Sequence, residues 1–204
     1  MNAILPQPQS DQPYGELLTD GNLQRRLLLD LLPRGGVGAE IGVYKGGFSQ
    51  QLLQVANPRR LHLIDPWKVF DDPRYRASWY GTAVARGQAE MDAIHEGVRQ
   101  QFARRIADGS VVIERSTSAE ASGRFPNDYF DWVYIDGDHT YEAVRDDLRL
   151  YLPKVRPGGF IAGDDYALGN WWGDGVVRAV HEFVAANPVV VRLVLGSQFV
   201  LRRL

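Results

Sequence analysis

From about residue 38 onward, short apolar runs alternate with stretches of helical spacing, and this alternation limits what the chain can become more than any other feature. Strands are expected over 38–42, 60–64, 111–115, 130–135 and 159–162, with helices over 48–55, 90–107 and 141–152 between them. A strand that must wait for a helix before its neighbour arrives is joined by a crossover, so the expected sheet is parallel and covered by helices on both faces. Ahead of it, Leu23, Leu27, Leu28, Leu31 and Leu32 keep helical spacing until Pro33-Arg34-Gly35-Gly36 stops the helix. Behind it come a helix over 176–186 and two β-rich runs, 189–195 and 198–203, around Gly196-Ser197. Such a pair reads as a hairpin, which puts the last strand antiparallel at the sheet edge. With 204 residues and 45% hydrophobic content, the chain can bury one substantial core. A single domain over 21–204 is expected, after an irregular arm over 1–20 that is rich in Pro, Gln and Asp.

Lys and Arg total 23 against 25 acidic residues, a formal charge of -2. No basic excess argues for nucleic acid or an anionic membrane, and small, roughly neutral partners fit better. Self-association is left open. The absence of cysteine excludes disulfides, thiolate metal sites and cysteine nucleophiles, so any metal must sit on oxygen or histidine. The first residues have neither a basic segment nor a sustained apolar core, and no run reaches membrane-spanning length, so a cytoplasmic protein is expected.

Two acidic clusters close strand candidates: Tyr134-Ile135-Asp136-Gly137-Asp138-His139, and Gly163-Asp164-Asp165-Tyr166. Ligands of open α/β sheets bind outside the carboxyl ends of the strands, so these carboxylates can converge on one crevice. Two unit charges about 4 Å apart repel by roughly 4 kcal/mol at an effective dielectric near 20. Protonation, a bound cation or a cationic ligand must relieve that repulsion.

The first strand ends Glu40-Ile41-Gly42-Val43-Tyr44-Lys45-Gly46-Gly47. These glycines let backbone approach a ligand, and the helix that follows offers free N–H groups. The loop matches neither the G-x-G-x-x-G dinucleotide fingerprint nor a P-loop. Its acid, Glu40, suits a cationic ligand instead, and Asp65 ends the second strand where an acid can accept both ribose hydroxyls of a nucleoside.

Taken together, these residues resemble the class I S-adenosylmethionine-dependent methyltransferases over roughly residues 36–204. Glu40-x-Gly42-x-x-x-Gly46 corresponds to the first motif, Asp65 to the ribose acid, and Pro157-Gly158-Gly159 precedes the fifth strand. Asp136-Gly137-Asp138-His139-x-Tyr141 with Gly163-Asp164-Asp165-Tyr166 looks like the small-molecule O-methyltransferases typified by macrocin O-methyltransferase. The resemblance implies a Rossmann-like seven-stranded α/β sheet, order 3-2-1-4-5-7-6, with strand 7 antiparallel. It also implies a divalent metal, Mg²⁺ above all, on Asp136, Asp164 and Asp165, with Asp138 or His139 where family members carry a general base. Relatives of the catechol type have lysine at the position of His139. Glu40, Gly42, Gly46, Asp65 and Asp136 would face S-adenosylmethionine, and Ser116, Thr117 and Ser118 fall by position beside its adenine.

The expected reaction is O-methylation of a hydroxylated small metabolite: a sugar, polyketide or phenolic. A bound cation would lower the acceptor's pKa, and histidine suits proton removal because its charge changes near neutral pH. The aromatic insertion over 66–89, with Trp67, Trp79 and Tyr80, is expected to cover the acceptor. An NAD-linked oxidoreductase and a non-catalytic adenosylmethionine-binding protein are the competing classes.

Overall fold

A computed structural model describes residues 21–204 except Asn170 and the side chain of Asn22, so the arm over 1–20 lies outside the described residues. The strands are β1 (Val37–Ile41), β2 (Arg60–Asp65), β3 (Val111–Arg115), β4 (Phe130–Ile135), β5 (Val155–Gly163), β6 (Val189–Leu195) and β7 (Gln198–Arg203). They form one sheet in the order β3-β2-β1-β4-β5-β7-β6. β3 to β5 pair in parallel through β2, β1 and β4, and β7 runs antiparallel to both β5 and β6. The hairpin is present, but the final strand lies one place inside the edge and β6 is outermost. By returning between β5 and β6, β7 gains a partner on each side and buries Phe199, Val200 and Leu201.

Helices α1 (Gly21–Leu29), α2 (Gly47–Val55), α3 (Gln88–Gln101), α4 (Ala103–Ala107), α5 (Ser118–Ser122), α6 (Tyr141–Tyr151) and α7 (Gly175–Ala186) flank the sheet. Successive strand residues point to opposite faces, and two cores result. Val37, Ala39, Ile41, Val133, Ile135 and Ile161 pack with Val144 and Leu148 of α6 and Val176 and Val180 of α7. Leu61, Leu63, Trp132, Tyr134 and Ala162 pack with Leu28 and Leu29 of α1, Leu52 of α2 and Met91 of α3. Each fully buried leucine or valine contributes about 1.5–3 kcal/mol. The expected helix over 90–107 is broken at Phe102, whose ring is buried and whose backbone (φ -104°, ψ 15°) leaves the helical region.

Packing at Gly42 is exacting. Its φ is 86°, and a Cβ there would stand 2.0 Å from the carbonyl oxygen of Asp136, so only glycine lets β1 and β4 end side by side.

Candidate active site

The alternation that builds the two cores also sorts the acids. Asp136 continues the parity of Tyr134, and Asp164 that of Ala162, toward the face covered by α1. There Arg25 of α1 meets them: its Nε is 2.9 Å from Asp164 Oδ2, its Nη2 also binds that oxygen, and Nη2 lies 3.4 Å from Asp136 Oδ2. The guanidinium sits over the Phe48 ring, 5.2 Å from its centroid. Asp164 Oδ1 accepts further bonds from Ser197 Oγ and Gln198 Nε2, each at 2.5 Å, and from its neighbour's amide, Asp165 N, at 2.7 Å. Burial pushes the Asp164 carboxyl up, but Arg25, Ser197 and the Asp165 amide outweigh it and hold the group below the usual carboxylate range. Asp136 goes the other way, raised by burial and then by the charge of Asp164, with Arg25 opposing.

Asp165 leaves the strand at φ 59° and turns to the other side, where its Oδ2 is 3.3 Å from His139 Nδ1. Burial, then the charge of Asp164, raises the Asp165 carboxyl, and His139 works against that rise. One ligand atom each from Asp136, His139 and Asp165 lies within 4.8 Å of the others, which is the spacing of a cation site. The His139 ring is 4.8 Å from Trp172 and 5.9 Å from Trp171, centroid to centroid. Beside it opens a cavity of about 290 Å³ lined by Arg74, Thr140, Tyr141, Trp171, Trp172 and Arg178. Trp172 Nε1 is buried there with no hydrogen-bond partner among the described residues. Asp138 caps the turn, accepting from Thr140 N at 2.9 Å. The Tyr75 hydroxyl also bonds Asp138, and burial with that bond pushes the Tyr75 phenol up to about 12.

At the other end of the crevice, Asp65 Oδ2 accepts from Val43 N and Tyr44 N, both at 2.9 Å, and from the Tyr80 hydroxyl at 2.5 Å; Oδ1 accepts from Trp67 N at 2.7 Å. Its carboxylate therefore holds the loop after β1 in shape. Trp79 stacks on Tyr44 at 4.8 Å. Trp79 and Tyr80 of the insertion thus pack on the cofactor-loop end, while its Arg74 and Tyr75 reach the cavity and the acidic cluster beside which Trp171 and Trp172 stand. Glu40 is buried and bonded by Ser49 Oγ, and burial raises its carboxyl well above the ordinary value. Gly46, at φ 72°, starts α2 without a side-chain cap, leaving that helix's first N–H groups open to a ligand.

Ser116, Thr117 and Ser118 lie past β3, where Thr117 and Glu120 form a reciprocal capping box on α5. Among these candidate residues, the structure gathers Asp136, His139 and Asp165 in one group and turns Asp164 to Arg25. The sequence reading passed over Arg25. A signal was present: Arg25 precedes Leu28 and Leu29 on α1 and Leu32 just beyond it, and all three leucines are buried. His62 is buried and bonded to the Tyr129 hydroxyl at 3.1 Å, and the exposed His181 is bonded to the Tyr166 hydroxyl at 2.6 Å.

Among relatives, an uncharacterized protein of Acanthamoeba polyphaga mimivirus is 30% identical over 146 residues, 72% of this chain and 58% of that protein. The 8-demethyl-8-(2,3-dimethoxy-alpha-L-rhamnosyl)-tetracenomycin-C 4'-O-methyltransferase of Streptomyces olivaceus is 39% identical over 51 residues, 25% of this chain and 17% of that enzyme. The chain thus spans less than two thirds of the length of these curated relatives. The O-methyltransferase TomG of Streptomyces achromogenes, solved with SAM, superposes with a TM-score of 0.58 at 16% identity, covering 89% of this chain and 78% of that one. An O-methyltransferase from Bacillus cereus, solved with SAH, gives 0.57 at 15% identity, with 88% and 78% covered. Both share its fold. Residues 39–166, which run from the middle of β1 through both acidic clusters, match the family model described as a methyltransferase domain, and the chain belongs to that family.

Proposed function

We propose that this methyltransferase transfers the methyl group of S-adenosylmethionine to a hydroxyl of a small acceptor held in the cavity beside Trp171 and Trp172. The observation that carries this reading is the His139–Asp165 pair, whose imidazole packs against Trp171 and Trp172 of that cavity's lining. Asp165 holds the imidazole through Nδ1, and Nε2 has no partner among the described residues. A histidine fixed in this way can take the acceptor's proton as the oxygen attacks the methyl group. The acids at the ends of β1 and β4 suit a cofactor bearing a sulfonium and an ammonium. An aromatic wall with Arg74 and Arg178 suits a sugar, polyketide or phenolic acceptor.

A second reading has its own support, since Asp136, His139 and Asp165 fit a hard divalent cation. Bound there, such an ion would lower the pKa of the acceptor hydroxyl. This ligand set differs from the three aspartates implied by the resemblance, because the Asp164 carboxylate is taken by Arg25, Ser197 and Gln198.

The test is production of S-adenosylhomocysteine from S-adenosylmethionine with a panel of sugars, phenolics and polyketides, before and after exhaustive chelation and Mg²⁺ add-back. Turnover that survives chelation supports the histidine reading, turnover restored only by metal supports the second, and absence of any methyl transfer removes both.

A further inference from the structure

Asp65 is crowded with donors. A carboxylate offers about four lone-pair sites, two on each oxygen, yet Oδ2 of Asp65 alone accepts from Val43 N, Tyr44 N and the Tyr80 hydroxyl, and Oδ1 accepts from Trp67 N. The residue is 1% exposed, so a ligand reaches it only when something covering it moves. Three of the four donors are amides of the chain that shapes the loops after β1 and β2, and they are fixed with those loops. The Tyr80 hydroxyl is the donor that can swing off.

Tyr80 does not move alone. Its carbonyl accepts from Phe70 N at 2.9 Å, and the Tyr75 carbonyl accepts from Ser78 N at 2.8 Å. Gly81 lies so close to Tyr75 that a Cβ there would stand 1.8 Å from the Tyr75 carbonyl oxygen. The stretch over 70–81 is therefore one compact piece with two anchors, Tyr80 on Asp65 and Tyr75 on Asp138. Between those anchors it also places Arg74 in the wall of the cavity beside Trp171 and Trp172. A displacement of Tyr80 is thus felt across the crevice.

We infer that the Tyr80 hydroxyl is a stand-in for a ribose hydroxyl of the cofactor, an autoinhibitory contact that closes Asp65 until the nucleoside displaces it. Its departure shifts the 70–81 piece, and with it Tyr75 and Arg74 at the acceptor cavity. The inference rests on the S-adenosylmethionine reading above, and what it adds is that filling one end of the crevice resets the other.

Calorimetry with S-adenosylhomocysteine and its 2',3'-dideoxy analogue tests it. Tyr80→Phe keeps the ring beside Tyr44 and removes only the hydroxyl. The variant should bind S-adenosylhomocysteine about three- to tenfold tighter than wild type, because one hydrogen bond no longer has to be broken first. Its affinity for the dideoxy analogue, which has no hydroxyl to offer Asp65, should stay within about twofold of wild type. A tyrosine that only supports the loop predicts unchanged or weaker binding of both ligands, and that result, or an equal tightening for both, overturns the inference. Limited trypsin digestion of wild-type protein decides the matter if the variant fails to fold. Cleavage after Arg76, which is exposed in the displaced piece, should accelerate with S-adenosylhomocysteine and not with the dideoxy analogue. Cleavage that is unchanged or slowed by S-adenosylhomocysteine overturns the displacement. If wild-type protein binds neither ligand, the cofactor reading itself fails.

Discussion

Asp65 and Asp164 stand at the ends of β2 and β5, and both are buried, at 1% and 8% exposure. Their partners differ in kind. Asp65 is gripped by three backbone N–H groups and one hydroxyl; Asp164 has one backbone N–H, with Arg25, Ser197 and Gln198 supplying the rest. Backbone donors cannot leave without unmaking the loop, whereas side chains can rotate away and return. The cofactor-loop end of the crevice is therefore scaffold, and the acidic end is the part that can rearrange around a ligand.

The largest effect should come from the adjustable end. His139→Ala should slow methyl transfer by about 10²–10⁴-fold and leave the melting temperature near wild type, since the ring is bonded to no backbone donor among the described residues. A variant that unfolds, or one with full turnover, would erase the distinction between the two ends. Next, Asp65→Ala strips the acceptor from Val43, Tyr44, Trp67 and Tyr80. It should cost about 3 kcal/mol of stability, or roughly 10 °C in melting temperature for a domain of this size, as well as weakening cofactor binding. Loss of affinity with stability intact would move Asp65 into the adjustable class.

The smallest effect is also the most dependent on pH. Asp147 of α6 is buried beside Ser118, and burial pushes its carboxyl up to about 7 against the partial relief of that hydrogen bond. The folded protein therefore keeps a proton that an unfolded chain releases near pH 3.9, so stability falls as pH rises from about 4 through 7. Asp147→Asn should raise the melting temperature by several degrees at pH 8 and leave it unchanged near pH 3.5. Equal shifts at both pH values would show that charge burial is not the cause.

The strand–helix alternation in the sequence was enough to place the strands, because burial on both faces leaves continuous apolar runs such as those of β1 and β4, whereas the strand order followed only from the family resemblance. Helix ends were harder. The break at Phe102 depends on a ring seated against the loop after β1, a contact that no local pattern announces. Helix α5 carried its own mark, the Thr117-x-x-Glu120 capping box, and needed only to be read. Within the acidic clusters, residue types were legible but pairings were not. Strand parity separates Asp164 from Asp165, yet which helix waits on each face is decided by tertiary packing. That is why Arg25 and the His139–Asp165 pair emerge only in three dimensions.

The tight seat of Gly42 bears on how variants of this protein should be read. A methyl group there would collide with the Asp136 carbonyl and pry apart the two central strands. A growth or survival screen would therefore score Gly42 as indispensable even in a protein that never met a ligand, and the motif glycine closest to the chemistry is the poorest reporter of it.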